Sequence, residues 1–159
     1  MRNFLIILST LVLSLPLAGN AEDIVLTIGG ETDKTVSSSL QLTLSEFEAI
    51  DASTVETRTP WHKEKTLFSG VSGAALLKYL GARATEVDAV ALNDYKVTLP
   101  VSDLSDTGLI FATRKNGELM SVREKGPIFI IYPFDGNPSL DNEVIYARSI
   151  WQLKALNFK

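Results

Sequence analysis

The sequence predicts an α+β domain with a mixed sheet and short helices, and three observations support this fold class. Short runs of alternating or β-branched apolar residues recur along the chain and are bounded by Gly, Pro, Asn or Asp, which is typical of strands. Two or three segments carry helix start or stop signals over short lengths. The 159-residue chain has no internal repeat, linker or low-complexity tract, so we expect residues 22–159 to form a single domain with its own core.

Two strands and a short helix are predicted at the start of this domain. Residues 24–28 form an apolar run closed by two glycines, and residues 36–44 alternate apolar and polar side chains, so we expect two paired strands. Ser45 and Glu48 have the spacing of a capping box, in which each side chain accepts from the other residue's backbone amide. A helix is therefore expected from Ser45 to about Asp51.

The middle of the chain predicts two extended segments and the clearest helix. Residues 54–59 and 66–71 have strand character, and the first of them stops at Pro60. Residues 74–80 have helical character and are followed by Gly81. Glycine ends helices well because it adopts the left-handed conformation at low cost.

The last third of the chain predicts further strands. Residues 89–99 are interrupted at Asn93-Asp94, and residues 109–113 and 119–122 flank Asn116-Gly117, the strongest short hairpin signal. Residues 128–132 are continuously apolar, so we expect a central strand covered on both faces. Residues 151–158 alternate and are expected to close the sheet, with Trp151 as a core residue that flanks any pocket.

The N-terminus predicts export. A basic start at Arg2 precedes an apolar run over residues 4–15, and the small residues Gly19 and Ala21 come just before Glu22, which is the pattern of a secretory signal peptide. The apolar run is too short for a membrane span, which needs ~20 residues. We expect a signal peptide over residues 1–21, cleavage after Ala21 and a mature protein in the periplasm.

Composition excludes several classes of function. The chain has 15 Lys+Arg against 19 Asp+Glu and a net charge of -4, and no basic run, so no nucleic-acid partner is expected. It has no cysteine and one histidine, His62, so a metal site made of protein ligands alone is not expected. No nucleophile elbow, phosphate loop or pair of acids is present, and no catalytic residue is predicted.

Several segments, in their order along the chain, resemble the molybdopterin-binding domain of the sulfite oxidase type. They are residues 68–71 (FSGV), 76–77 (LL), 93–95 (NDY), 117–119 (GEL), 126–133 (GPIFIIYP) and 148–153 (RSIWQL). The resemblance covers the chain from about residue 44 onward and implies the fold of that domain. In the family a Cys in the stretch matching residues 55–61 ligates molybdenum. This chain has Thr and Arg there, which do not replace a soft thiolate, so no molybdenum is expected.

The chain is most similar to short exported members of this superfamily, the periplasmic pterin-binding proteins that work beside membrane-bound cyclic-di-GMP enzymes. The shared elements are residues 59–61 (TPW), 93–95 (NDY) and 148–153 (RSIWQL). The resemblance implies a monomeric protein that is not an enzyme and binds a reduced, unmetallated pterin. It would signal occupancy to the periplasmic part of a membrane-bound regulator.

A pterin needs an aromatic or guanidinium plane for stacking and polar groups for its two edges. Stacking contributes about 0.5 to 1.5 kcal/mol beyond burial, a carboxylate fits the 2-amino and N3-H edge, and Arg or an amide donates to the other edge. Together with the resemblance, these needs select nine candidate ligand-binding residues. They are Arg58, Trp61, Asn93, Asp94, Tyr95, Tyr132, Arg148, Ser149 and Trp151.

Several of these candidates also have a structural interpretation. Asn93-Asp94 fits a simple turn, Tyr132 fits the end of a core strand, Arg58 could point to solvent, and Arg148 fits a surface ion pair with Asp141 or Glu143. Two alternatives at the level of the whole protein also stay open. One is a small oxidoreductase that keeps a molybdenum cofactor through its pterin alone or through a partner chain. The other is a ligand-free interaction domain, since fold does not imply function.

Overall fold

The structure is a computed structural model and describes residues 22–36 and 38–159. It confirms the α+β class, with two five-stranded sheets where the sequence predicted one. The predicted signal peptide lies outside the described residues.

The strands are β1 (Ile24–Gly30), β2 (Leu40–Thr43), β3 (Ser53–Thr59), β4 (His62–Ser72), β5 (Glu86–Ala91), β6 (Lys96–Pro100), β7 (Ile110–Lys115), β8 (Glu118–Leu119), β9 (Phe129–Ile131) and β10 (Leu153–Phe158). The helices are α1 (Leu44–Glu48), α2 (Gly73–Leu80), α3 (Val101–Asp106) and α4 (Glu143–Arg148), with 3₁₀ turns at Val122–Glu124 and Pro138–Leu140.

The first sheet is mixed and has the order β2-β1-β10-β5-β6. β1 pairs with β2 in antiparallel fashion, as predicted, and with β10 in parallel. β10 therefore lies in the middle of this sheet, and the expectation that it closes the sheet is wrong. On the side away from β1, β10 pairs with β5. β5 is joined to β6 by a turn at Asn93-Asp94, where the sequence predicted a break.

The second sheet is antiparallel and has the order β3-β4-β7-β8, with β9 also paired to β7. The hairpin between β7 and β8 turns at Asn116-Gly117, as predicted, and both residues have positive φ, 51° and 86°. β9 is covered on both faces, as its apolar run predicts. It pairs with β7 alone, however, so it is an edge strand and not a central one. The segment before β10 covers its outer edge, where Ile130 N donates to Ile150 O at 3.0 Å.

The hairpin of β3 and β4 is longer than predicted and carries Trp61 at its tip. β4 begins at His62, four residues before the predicted segment, and β3 ends at Thr59. The Thr59 hydroxyl accepts from the amides of Trp61 (3.2 Å) and His62 (3.0 Å). These side-chain hydrogen bonds stabilise the turn without the glycine that usually marks a tight hairpin. The sequence pattern therefore did not predict a hairpin here.

The first helix begins one residue earlier than predicted. Thr43 and Glu46 form the capping box: Glu46 N donates to the Thr43 hydroxyl, and Thr43 N donates to Glu46 Oε2 at 2.8 Å. Ser45 lies inside the helix, and the predicted strand over residues 36–44 is shortened to Leu40–Thr43. In this register Phe47 is fully buried and Glu48 is free to pair with Arg114 at 3.0 Å, which explains the shift.

Three further helices complete the fold. α2 ends at Gly81 with φ 60°, as predicted. α3 and α4 were not predicted. α3 follows Pro100 with no side-chain cap, whereas at the start of α4 the Asn142 side-chain oxygen Oδ1 accepts from Val144 N (3.0 Å) and Ile145 N (3.2 Å).

Two apolar clusters stabilise these elements. The larger contains residues of both sheets and of α2, including Leu26, Phe111, Phe158 and Leu76, all of them buried. The smaller is formed by β4, β7 and β9 with the side chain of Trp61 packed against it. Among the described residues, no helix has the length and apolar character needed to cross a membrane. The smaller cluster forms the base on which the candidate site is built.

Candidate functional site

A cavity of about 340 Å³ opens where three chain segments meet. These segments are the β3–β4 turn, the β5–β6 turn and the chain from the end of α4 to the start of β10. The lining residues are Trp61, Ala91, Asn93, Tyr95, Tyr146, Ala147, Ser149, Ile150 and Trp151. Its volume lies at the lower end of the ~300 to 1,000 Å³ typical of ligand pockets, which suits a small ligand.

Aromatic rings form one wall of this cavity. The ring centroids of Trp61 and Trp151 lie 5.4 Å apart at an interplanar angle of 74°, and Phe129 lies 5.5 Å from Trp61 and 6.2 Å from Trp151. These edge-to-face contacts are a favoured arrangement of aromatic pairs. They hold two indoles in fixed positions beside an open space.

The expectation that Trp151 is a core residue of a strand is wrong. β10 begins two residues later, and Trp151 keeps 37% of its surface exposed. The intervening Gln152 has φ 53°, which breaks the extended backbone and the alternation that the sequence suggested. Trp151 therefore lies at the cavity and not inside the sheet.

The polar side of the cavity comes from Asn93, Tyr95 and Ser149. The Asn93 side-chain oxygen accepts from Tyr95 N at 3.1 Å, and Tyr95 O accepts from Ala91 N at 2.8 Å. Asn93-Asp94 is thus part of a turn, as its structural interpretation predicts, and Asn93 also lines the cavity. Ser149 is buried, and its hydroxyl donates to Ile145 O at 2.9 Å. Its oxygen remains able to accept a further hydrogen bond.

Asp94 lies next to Asn93 but is not among the residues that line the cavity. Its side chain is 83% exposed and accepts from Lys154 Nζ at 2.7 Å. A surface ion pair of this kind contributes little to stability. Its φ of 66° fits a turn residue, since Asp and Asn enter the left-handed region more readily than most residues.

Tyr132 and Arg148 meet at a buried carboxylate and do not line the cavity. The Tyr132 hydroxyl and Arg148 NH1 both donate to Asp103 Oδ2 at 2.9 Å. Burial, followed by the charge of Asp103, raises the pKa of Tyr132 well above its usual range. Arg148 therefore pairs with α3, and not with Asp141 or Glu143 as its structural interpretation proposed.

Arg58 also lies away from the cavity. Its side chain is 61% exposed and pairs with Asp135 at 3.1 Å, beside a second cavity of about 280 Å³. Tyr146 lines both cavities. Five of the nine predicted ligand residues thus line one cavity, and the structure places Arg58, Asp94, Tyr132 and Arg148 elsewhere.

The sequence analysis missed Tyr146, which lines the cavity, and Lys125, which lies beside its aromatic wall. It also did not predict the lining residues Ala91, Ala147 and Ile150. Tyr146, whose ring lies 6.4 Å from that of Trp61, follows an N-cap signal at Asn142-Glu143 that would have predicted α4. Lys125 places its ammonium nitrogen 4.1 Å from the ring centroid of Trp151 and 5.9 Å from that of Trp61. No local pattern could have predicted this position, because Lys125 comes from the loop before β9.

Two titratable side chains near the aromatic wall, Lys125 and His62, have lowered pKa values. Burial lowers the pKa of Lys125. Burial, followed by the charges of Lys115 and Lys125, lowers the pKa of His62, and its Nδ1 lies 3.0 Å from the Thr59 hydroxyl. Within residues 22–36 and 38–159, no group of three or more His, Asp or Glu side chains is arranged to hold a metal ion.

Comparison with known proteins finds a match among solved structures. No protein-family model matches the sequence, and no curated protein matches it significantly. The structure is similar to the crystal structure of the sulfane dehydrogenase SoxCD from Paracoccus pantotrophus, with a TM-score of 0.61 and 13% identity over 86% of this chain. This chain spans 38% of the length of the matched one. The match supports the predicted α+β fold, which this chain shares with part of that dehydrogenase chain.

This comparison corrects the expectation that the protein is not an enzyme. The protein that shares its fold is a dehydrogenase, so the fold match gives no support to a non-enzymatic assignment. At 13% identity the likeness shows the fold alone and assigns no activity to this chain.

Proposed function

We propose that the protein binds a reduced, unmetallated pterin in the aromatic cavity and reports the bound ligand to the periplasmic part of a membrane-bound regulator of the cyclic-di-GMP type. The observation that carries the proposal is the meeting of two indoles with the polar side chains of Asn93 and Ser149 around about 340 Å³ of space. We propose that the protein acts in the periplasm as a monomer. The pattern of residues 1–21 and the resemblance to short exported pterin-binding proteins support this part.

The aromatic wall suits the flat face of a pterin. Trp61 and Trp151 stand at 74° to each other, so a bicyclic ring that stacks on one indole meets the edge of the other. Each such contact contributes about 0.5 to 1.5 kcal/mol beyond burial. Tyr95, which is half exposed at the rim, can cover the outer face of the ligand.

The polar groups suit the edges of a neutral ring. No charged side chain is among the residues that line the cavity, so the donor edge of the pterin would meet neutral acceptors and not Asp94. The Asn93 amide can both donate and accept, and the Ser149 oxygen can accept. We propose Trp61, Asn93, Tyr95, Ser149 and Trp151 as the ligand contacts. The other four predicted residues, Arg58, Asp94, Tyr132 and Arg148, do not line this cavity and are not proposed as contacts.

The residues do not fit a thiolate-ligated molybdenum. The chain has no cysteine, and the stretch that would hold the ligand in the resembling family is β3 with its turn. There Thr57 is buried, its hydroxyl donates to Arg58 O at 2.9 Å and accepts from Asp135 N at 3.0 Å. Hard oxygen ligands of this kind do not replace a soft thiolate, which supports an unmetallated ligand.

A calorimetric titration with a reduced pterin tests this site. Asn93→Ala should weaken binding about tenfold, since it removes hydrogen bonds made to the ring. The neighbouring Asp94→Asn, which keeps a residue tolerant of positive φ, should bind like wild type. Arg83→Ala, far from the cavity, is a second control. Equal affinity for Asn93→Ala and wild type, or no binding to wild type, would reject the site and favour a ligand-free interaction domain.

A small molybdopterin-dependent oxidoreductase is the second candidate, favoured by the dehydrogenase fold of the matched structure. The metal would then be held through the pterin alone or by a partner chain, because the sequence offers no thiolate. Elemental analysis of protein purified from its own periplasm separates the two candidates. About one molybdenum per chain supports the oxidoreductase, whereas a pterin that co-purifies with no metal supports the leading proposal.

A further inference from the structure

We propose that Lys125 makes the cavity selective for pterins with an anionic substituent, a carboxylate or a phosphate, by holding an ammonium group against its aromatic wall. The inference deepens the proposed function and rests on it, since it concerns the ligand of the same cavity. It also uses a residue that lies in none of the segments that resemble known proteins.

The position of the ammonium group is the first support. Lys125 Nζ lies 4.1 Å from the ring centroid of Trp151 and 5.9 Å from that of Trp61, both of which line the cavity. Lys125 is not itself among the lining residues, so the part of the ligand that would reach this charge is a substituent that extends beyond the indole on which the ring stacks. The cation–π contact orients the ammonium but leaves its N–H donors without an anionic acceptor.

The second support is that this charge is unpaired within the described part of the chain. Lys125 appears in none of the salt bridges there. The adjacent Glu124 pairs with Lys115 at 3.3 Å instead. Burial lowers the pKa of Lys125, which means that the surroundings disfavour its charge. An anion bound beside the ammonium group would offset the free-energy cost of burying its charge.

The third support is that the charge beside the cavity is opposite in sign to the net charge of the whole molecule. The chain carries a net charge of -4, yet the ammonium group of Lys125 lies against the aromatic wall, and the nearby His62 is subject to the charges of Lys115 and Lys125. Glu124 neutralises Lys115, and burial and both lysines lower the pKa of His62. Lys125 is therefore the charge left to meet an anionic substituent.

The backbone holds Lys125 in place. Its carbonyl accepts from Gln152 N at 3.0 Å, and the Gln152 side chain donates to Val122 O at 2.8 Å. Lys125 itself has φ 79°. These contacts join the backbone of the lysine to the residue that follows Trp151, so the two segments that carry the ammonium and the indole are linked.

Three probes of matched ring structure test the inference: 6-hydroxymethyl-7,8-dihydropterin, its monophosphate, and 7,8-dihydropterin-6-carboxylate. Wild type should bind at least one anionic probe about tenfold more tightly than the neutral one, the ratio expected for one charge-assisted hydrogen bond. The affinities of the two anionic probes show whether the site prefers a phosphate or a carboxylate. Lys125→Gln should abolish the preference, and Lys125→Arg should keep most of it.

Lys34→Gln is the matched control, because Lys34 makes the same kind of contact over Tyr79, at 4.3 Å, outside the cavity. It should leave all affinities unchanged. Wild type binding the three probes equally would overturn the inference while leaving the proposed function standing. Lys125→Gln weakening all three probes to the same degree would also overturn it, since the lysine would then act only by orienting Trp151. No binding of any probe to wild type would reject the proposed function together with the inference.

Discussion

Asp103 is the buried charge that determines where two of the predicted ligand residues lie. It is 8% exposed and accepts from the Tyr132 hydroxyl and from Arg148 at 2.9 Å. A buried carboxylate is strongly destabilising without a partner. The requirement to neutralise it holds Arg148 against α3, so this arginine stabilises the fold that carries the cavity.

Arg148→Ala should therefore lower the stability of the ligand-free protein. The expected loss is about 2 to 4 kcal/mol, since Asp103 would keep its charge in a largely buried place with one neutral donor. Urea unfolding of wild type and variant measures it. Arg58→Ala is the control: its surface pair with Asp135 should contribute less than ~1 kcal/mol. Equal losses of stability in Arg148→Ala and Arg58→Ala would contradict the stabilising role of the ion pair between Arg148 and the buried Asp103.

At the scale of elements, the start of α1 shows how tertiary contacts choose between two neighbouring capping signals. Both Thr43/Glu46 and Ser45/Glu48 have the required spacing. The structure uses the first pair, and Glu48 instead accepts from the Thr113 hydroxyl at 2.6 Å and from Arg114 NH2 at 3.0 Å. The local pattern alone could not decide, because Glu48 finds its partners on β7.

Thr43→Ala should destabilise the protein by about 1 kcal/mol, the usual cost of removing an N-cap hydroxyl. Ser45→Ala should cost clearly less, because Ser45 lies within the helix and its hydroxyl donates to the exposed Glu22. Thermal unfolding of the two variants compares them directly. A larger loss of stability for Ser45→Ala than for Thr43→Ala would support the Ser45/Glu48 capping box that the sequence suggested.

Asp88 links β5 to two other parts of the first sheet. Lys159 Nζ donates to it at 2.8 Å and the Thr98 hydroxyl at 2.6 Å. The hydrogen bond from Lys159, followed by that from Thr98, lowers the pKa of Asp88 from 3.8 to about 2. Because the carboxylate is ionised more readily in the folded protein than in the unfolded one, its contribution is complete above about pH 4 and is lost as the pH falls toward 2.

Asp88→Asn should therefore flatten the acid limb of the stability curve. Between pH 4 and pH 2 the melting temperature of wild type should fall more steeply than that of the variant, and Thr98→Val should lie between them. Scanning calorimetry at several pH values measures this. Parallel curves for wild type and Asp88→Asn would show that other carboxylates, such as Asp51 with its pKa of about 2, account for acid unfolding.

At the scale of the whole molecule, the described chain begins in contact with the fold. The Glu22 carboxylate accepts from the Ser45 hydroxyl and from Ser45 N at 3.4 Å, so the first described residue lies at α1. Cleavage after Ala21 would place the new ammonium group on that same residue.

Protein recovered from the periplasm should begin at Glu22, because residues 1–21 have the pattern of a signal peptide. Amino-terminal sequencing or intact-mass measurement gives the result. Recovery of a product that retains Met1 in the membrane or cytoplasmic fraction would contradict export and, with it, the periplasmic part of the proposed function. A matched chain in which lysine replaces Leu8 should stay uncleaved, because a charge interrupts the apolar run that defines the signal.

The sequence by itself determined the features whose causes lie within a few residues. The helix stop at Gly81, the hairpin at Asn116-Gly117, the break at Asn93-Asp94 and the pairing of β1 with β2 were all predicted. Each depends on backbone conformation or on side-chain alternation along one segment. Five of the residues that line the cavity, Trp61, Asn93, Tyr95, Ser149 and Trp151, were also identified, through the resemblance of three short segments.

The tertiary structure alone decided the order of the strands, the partners of the charged residues and the presence of the cavity. β10 lies between β1 and β5 because both of its edges find partners far away in sequence. Arg148 contacts Asp103, 45 residues away, and not its near neighbours. Trp61, Lys125 and Trp151 come together from three loops. Such contacts depend on which buried charges and apolar surfaces must be satisfied at the same time, and no local pattern records that requirement.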